Sequence, residues 1–137
     1  MRPRLNSRSV TVFAAMVAAT LVAGIAAAEP GLPEKSTSAD GVTVKAVPRT
    51  VSGPEWLFEI VFDTHSRDLA DDPVSSSILI ADGRESRPKA WKGDPPGGHH
   101  RKGMLVFAAP AERPAKVELQ LQRPGESGPR RFAWDLK

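Results

Sequence analysis

The stretch Lys116–Leu121 (KVELQL) decides the fold class of this chain. Apolar Val117, Leu119 and Leu121 alternate there with charged or polar residues. Because successive side chains of a β-strand point to opposite faces, this alternation predicts a strand with one buried and one exposed face. The same period of two recurs on both sides of the stretch. It predicts further strands at residues 42–46, 56–63, 74–81, 84–91, 104–108 and 131–136.

Proline and glycine separate these runs, since the 137-residue chain contains 13 Pro and 11 Gly. Asp82-Gly83 is typical of a tight hairpin turn that needs positive φ. Pro88 predicts an edge position for the strand over residues 84–91, because proline cannot donate to a sheet ladder. About seven short strands with regular turns predict an all-β, immunoglobulin-like or fibronectin-like β-sandwich; a small barrel is the alternative. Six aromatic residues are expected in its core: Trp56, Phe58, Phe62, Phe107, Phe132 and Trp134.

The first 28 residues have the order of a secretory signal peptide. A basic start is followed by an apolar run from Val10 to Ile25, and Ala26-Ala27-Ala28 supplies a small-residue cleavage site. The pattern predicts a signal peptide at residues 1–28, a mature chain that starts at Glu29, and a periplasmic or secreted location. An uncleaved anchor is the alternative, because residues 10–28 are just long enough to span a bilayer. After cleavage, no stable membrane insertion is expected.

Residues 29–40 contain two prolines and few large apolar side chains. This composition predicts a disordered spacer, followed by a single domain over residues 41–137. Three of the 19 Lys and Arg residues lie in the signal region, which leaves 16 basic residues against 16 acidic ones in the rest of the chain. A neutral mature chain gives no electrostatic basis for binding nucleic acid.

Three segments carry a resemblance to known proteins. They are Asp63–Ser66 (DTHS), Trp91–Arg101 (WKGDPPGGHHR) and Arg131–Leu136 (RFAWDL). Together they resemble a group of exported bacterial proteins that consist of one small β-domain. The resemblance spans most of residues 41–137 and brings no activity with it. It implies that the histidine-bearing loops are a shared feature of the domain.

The histidines are the one chemical constellation in the sequence: His65, His99 and His100 all fall at predicted strand ends or in a loop. His65 shares a strand face with Asp63, whereas the adjacent His99 and His100 point apart in extended chain. A metal site would therefore use His65, one of His99 or His100, and a carboxylate such as Asp63 or Asp94. Two histidines with one carboxylate suit Zn, Cu or Fe, of which Cu and Zn are the expected candidates. The alternative is structural, with these side chains hydrogen-bonded in a loop clamp. Both alternatives predict that the loop over residues 91–102 meets the end of the strand over residues 56–63 at one site.

Other chemistry has less support in the sequence. Asp63, His65 and Ser66 are the residue types of a catalytic triad, but neighbouring strand residues cannot form its geometry. The chain has no Cys and therefore no thiol nucleophile. Asp68, Asp71 and Asp72 match no calcium-loop spacing and predict a solvated acidic loop.

These observations favour an exported, non-enzymatic binding or accessory module that requires no cofactor and engages an unidentified protein or envelope partner. A periplasmic Cu- or Zn-binding protein using His65 with His99 or His100 is the first alternative, and a hydrolase is the second.

Overall fold

The computed structural model describes residues 31–137. The predicted signal peptide, its cleavage site and the first residues of the expected spacer lie outside this range. A four-residue helix, α1 (Pro73–Ser76), precedes the fourth strand. No helix in residues 31–137 is long and apolar enough to cross a membrane. The strands are β1 (Lys35–Ala39), β2 (Val42–Thr50), β3 (Glu55–Thr64), β4 (Ser77–Ala81), β5 (Arg84–Ser86), β6 (Ala90–Gly93), β7 (His100–Ala108), β8 (Lys116–Leu121) and β9 (Arg130–Asp135).

The strands form two antiparallel sheets, which confirms the all-β prediction. One sheet has the order β1-β2-β3-β7-β6 and the other has the order β5-β4-β8-β9. Both sheets contribute to one buried apolar cluster, so they pack face to face. The ring centroids of Phe58 on β3 and Trp134 on β9 lie 5.8 Å apart across the two sheets. The six predicted core aromatics are all buried.

Two features raise the number of strands from the expected seven to nine. Pro88 interrupts the predicted strand over residues 84–91, so that β5 joins one sheet and β6 joins the other. This outcome follows from the missing N–H of proline, which stops a continuous ladder. The chain instead switches sheets at this point.

The second additional strand is β1, which lies where a disordered spacer was expected. It forms a hairpin with β2 through the turn at Asp40 and Gly41, which have φ values of 49° and 77°. Positive φ at both central residues is the geometry of a two-residue hairpin turn. The sequence of β1, KSTSA, has no apolar alternation, so the periodicity could not reveal it.

Both ends of the described chain lie at the same end of the sandwich. Gly31 and Lys137 line one cavity with residues 48–52, where β2 ends and the chain turns towards β3. The opposite end, where β3 ends and β7 begins, is formed by loops.

Candidate functional site

Three loops meet at the end of the sandwich opposite Gly31 and Lys137. Residues 65–72 follow β3, residues 94–99 connect β6 to β7, and residues 122–129 connect β8 to β9. We call this surface the three-loop end. His65, His99 and the first residue of β7, His100, all lie there and are exposed. Loops held by a rigid sheet scaffold are a common place for binding residues.

Backbone hydrogen bonds join the first two loops. The Leu69 N–H donates to the Gly98 carbonyl at 3.3 Å, and the Gly97 N–H donates to the Leu69 carbonyl at 2.9 Å. The Thr64 N–H at the end of β3 donates to the His99 carbonyl, also at 2.9 Å. The structure thereby confirms that the segment over residues 91–102 meets the end of β3.

Arg101 lies under these two loops and is only 2% exposed. Its guanidinium donates to the carbonyls of Asp71 at 2.6 Å, Leu69 at 3.3 Å and Asp94 at 3.1 Å. The Trp91 ring centroid lies 5.4 Å from the Arg101 guanidinium carbon. Because a buried cation needs its donors satisfied, these acceptors and this ring fix both loops around one side chain.

Asp71 and Arg123 connect the third loop to the first. Arg123 donates from Nε and from a terminal nitrogen to the two Asp71 carboxylate oxygens, at 2.9 and 3.0 Å. Both side chains are buried. A two-point pair of this kind fixes orientation as well as distance. Asp71 therefore lies inside an ion pair and not in the solvated acidic loop that the sequence predicted.

The buried charge network of Asp71 and Arg123 continues to Arg130 through Glu126, whose carboxylate accepts from Arg123 at 3.4 Å. Arg130 donates to both Glu126 carboxylate oxygens, at 2.9 and 2.6 Å. It also donates to the carbonyls of Thr37, Ala39 and Val42, and so holds the β1–β2 hairpin against the second sheet.

The network changes the acidity of its members. Hydrogen bonding to Arg130 holds the pKa of Glu126 below its ordinary value, although burial opposes this. Burial also disfavours the charged form of Arg123, but Asp71 and Glu126 outweigh it and raise the pKa of Arg123. Because the pKa of Glu126 is lower in the folded state, its contribution to stability is present at neutral pH. This contribution is lost as acid protonates the carboxylate.

The five predicted metal-site residues have different roles in the structure. Asp63 and His100 are cross-strand partners, with 2.5 Å between Asp63 Oδ1 and His100 Nδ1. The Asp94 carboxylate accepts from the Lys102 N–H at 2.9 Å. The His99 backbone carbonyl accepts from the Thr64 N–H, and His65 is exposed after the end of β3. Within residues 31–137, no three His, Cys, Asp or Glu side chains stand close enough to hold a metal ion. Zn or Cu binding stays a prediction.

The Asp63–His100 pair gives a direct test of that prediction. We expect His100→Ala to lower the free energy of unfolding by about 0.2–1 kcal/mol, because both partners are exposed. The loss should be equal with Zn²⁺, with Cu²⁺ and with a chelator, as followed by thermal melts. Lys89→Ala is the comparison, since it removes an exposed ion pair with Glu55 at 2.9 Å and neither residue is a candidate metal ligand. A metal-dependent rise in Tm that His100→Ala abolishes would instead support the metal hypothesis.

The buried arginines were not predicted from the sequence. Arg101 follows the inward alternation of Gly103, Leu105 and Phe107. Arg130 likewise precedes the inward-facing Phe132 and Trp134 at the same period. Extending the period of two to the first residue of each run would have placed both cations inside the sandwich.

A cleft of about 470 Å³ lies on the three-loop end between the first and third loops. Its lining is mostly charged, with carboxylates and guanidiniums side by side. The charged residues are Asp40, Arg67, Asp68, Asp71, Arg123 and Glu126. A cleft lined by both carboxylates and guanidiniums is better suited to bind a polar partner surface than an apolar ligand.

Comparison with known proteins returned no match to a protein-family model, to a curated protein or to a solved structure. The fold and the three-loop end are therefore interpreted from their own geometry.

Proposed function

We propose that this chain is an exported, non-enzymatic binding module that engages a protein or envelope partner through the three-loop end. One observation carries the proposal: the three loops are fixed to one another by backbone hydrogen bonds and by buried arginines. A surface that is already ordered loses less conformational entropy when a partner binds. The exposed histidines and the charged cleft supply polar recognition groups on that surface.

The immunoglobulin-like assignment is part of the same proposal. The order β2-β3-β7-β6 corresponds to strands A, B, E and D of that fold, and β4-β8-β9 corresponds to C, F and G. In this correspondence the three-loop end contains the B–C, D–E and F–G loops. Variable immunoglobulin domains use the B–C and F–G loops of this end for binding.

Export and a periplasmic or secreted location are proposed from the residues before Glu29, whose order is typical of a signal peptide. The hydrolase alternative has little support. A triad needs a nucleophile beyond the imidazole, and the Asp63–His100 contact supplies only the orienting carboxylate.

Site-specific photo-crosslinking in cells that export the full chain tests the proposal. A photoreactive residue in place of His99, on the three-loop end, should give a discrete adduct. The same residue in place of Ser52, which is also exposed but lies at the opposite end, should give none. Adducts of equal yield from both positions, or none from His99, would count against the proposal.

A pair of glycine variants tests whether the order of the loops matters. Gly97 and Gly53 both have positive φ, at 109° and 72°, so alanine strains the backbone at either position. Gly97 lies on the three-loop end, whereas Gly53 lies at the other end. Gly97→Ala should lower the yield of the His99 adduct, and Gly53→Ala should leave it unchanged. Equal yields from the two variants would show that loop order is not required.

A further inference from the structure

Strand β9 leaves an unpaired row of backbone groups at the edge of its sheet. The Leu136 N–H donates to the Ala115 carbonyl at 2.8 Å, just beyond the last register pair of β8 and β9. Hydrogen-bonded pairs alternate along an antiparallel ladder. The backbone N–H and C=O groups of Arg131, Ala133 and Asp135 therefore point away from β8. No loop or turn hydrogen bond among residues 31–137 uses the backbone of these three residues.

The other three sheet edges, at β1, β5 and β6, are shorter, and β1 has five residues against the six of β9. β5 has only three residues. Because of its 82–83 turn, Glu85 is the one residue of β5 whose backbone N–H and C=O face outward. β6 has four residues and follows Pro88 and Lys89, which are typical of edges that resist pairing. β9 has six residues with neither proline nor bulge. It therefore offers the longest regular edge of the second sheet.

The side chains along this edge have a self-complementary order. Arg131, Ala133 and Asp135 share the outer face of the sheet, with the cation and the carboxylate exposed at either end and the small Ala133 between them. If a second β9 is placed antiparallel about Ala133, each Arg131 lies directly opposite an Asp135. Opposite charges at directly paired positions stabilise a sheet, and like charges destabilise it.

We propose that two copies of this chain associate through antiparallel pairing of their β9 strands, with Ala133 at the twofold axis. In this register, each Arg131 lies opposite Asp135 of the other copy, and the two Ala133 residues lie opposite each other. All three positions have their N–H and C=O directed outward, so each pair exchanges two hydrogen bonds. The result is one eight-stranded sheet across a symmetric interface. The two three-loop ends then point in opposite directions, because the paired strands are antiparallel.

Charge reversal tests the register. Sedimentation equilibrium of the chain without its signal peptide should show a monomer–dimer equilibrium. Arg131→Asp and Asp135→Arg should each weaken dimerisation by about tenfold or more, since two attractive contacts become two repulsive ones. The double variant should restore it. Arg131 also pairs with Glu118 at 3.0 Å in its own chain, so the double variant does not repair that contact. Restored dimerisation in the double variant would therefore reflect the contacts between the two copies and not a contact within one chain.

A single cysteine gives a second readout that does not depend on charge. The chain has no native Cys, so Ala133→Cys can form only an intermolecular disulfide. Directly opposed hydrogen-bonded residues have Cα atoms about 5.5 Å apart, within the range that a disulfide spans. Ala133→Cys should cross-link under mild oxidation, and the exposed Ser86→Cys on β5 should not. A monomer at every concentration, equal cross-linking of both variants, or a dimer insensitive to charge reversal would overturn the proposal.

Discussion

Replacing Trp134 with alanine is expected to lower the free energy of unfolding by about 3–5 kcal/mol. Trp134 is 3% exposed and contacts Phe58 and Phe132, with ring centroids 5.8 and 6.5 Å away. Its indole Nε1–H also donates to the Pro33 carbonyl at 2.7 Å. Removing the ring leaves a cavity between the sheets and an unpaired carbonyl. Urea denaturation followed by circular dichroism measures the change.

Trp134→Phe separates the two contributions, because it keeps an aromatic ring in the core but loses the hydrogen bond to Pro33. We expect it to cost less than the alanine variant. A small domain has about 5–15 kcal/mol of total stability, so Trp134→Ala should be mostly unfolded or strongly destabilised. An unfolding midpoint for Trp134→Ala equal to that of the unchanged chain would exclude the core role.

Replacing Arg130 with methionine is the second change with a large expected effect, again about 3–5 kcal/mol. Removal of one partner from a buried ion pair leaves the other charge uncompensated in a site of low polarity. Glu126 would lose its bonds of 2.9 and 2.6 Å to Arg130. The carbonyls of Thr37, Ala39 and Val42 would lose their shared donor. The free energy of unfolding from urea titration gives the size of the loss.

Arg49→Met is the matched control, because it removes a pair with Glu59 at 2.9 Å in which the arginine is half exposed and the carboxylate keeps Lys102 at 3.5 Å. An exposed ion pair contributes at most about 1 kcal/mol, so this variant should unfold nearly as the unchanged chain does. Hydrogen exchange gives a local measure: in Arg130→Met the amides of β1 should lose protection before those of β8. Equal stability of the two methionine variants would show that the buried network does not hold the hairpin.

Periodicity identified the core because burial repeats every second residue along a half-buried strand. It placed Trp56, Phe58 and Trp134 correctly, and Asp82-Gly83 gives the predicted turn with φ values of 46° and 83°. It did not reveal β1, whose strand character depends on the turn at Asp40-Gly41 and on Arg130 from a distant part of the chain.

The candidate site could be predicted only in outline. That the histidine-bearing segments meet followed from their positions at strand ends. Which side chains touch depends on register, and register is a long-range property: Asp63 pairs with His100 because residue 63 of β3 lies opposite residue 100 of β7. His65, two residues further along, lies beyond the ladder. A pattern within one strand contains no information about the neighbouring strand's alignment.

The position of Gly31 and Lys137 beside residues 48–52 has a practical consequence. A chain immobilised on a sensor surface or fused to a carrier at residue 31 or at residue 137 would be attached at the end away from His65, His99 and His100. The loops would face the bulk solution in both orientations. A ligand screen could therefore compare N-terminal and C-terminal attachment directly, and a signal present in both formats would not come from blocking of one end by the support.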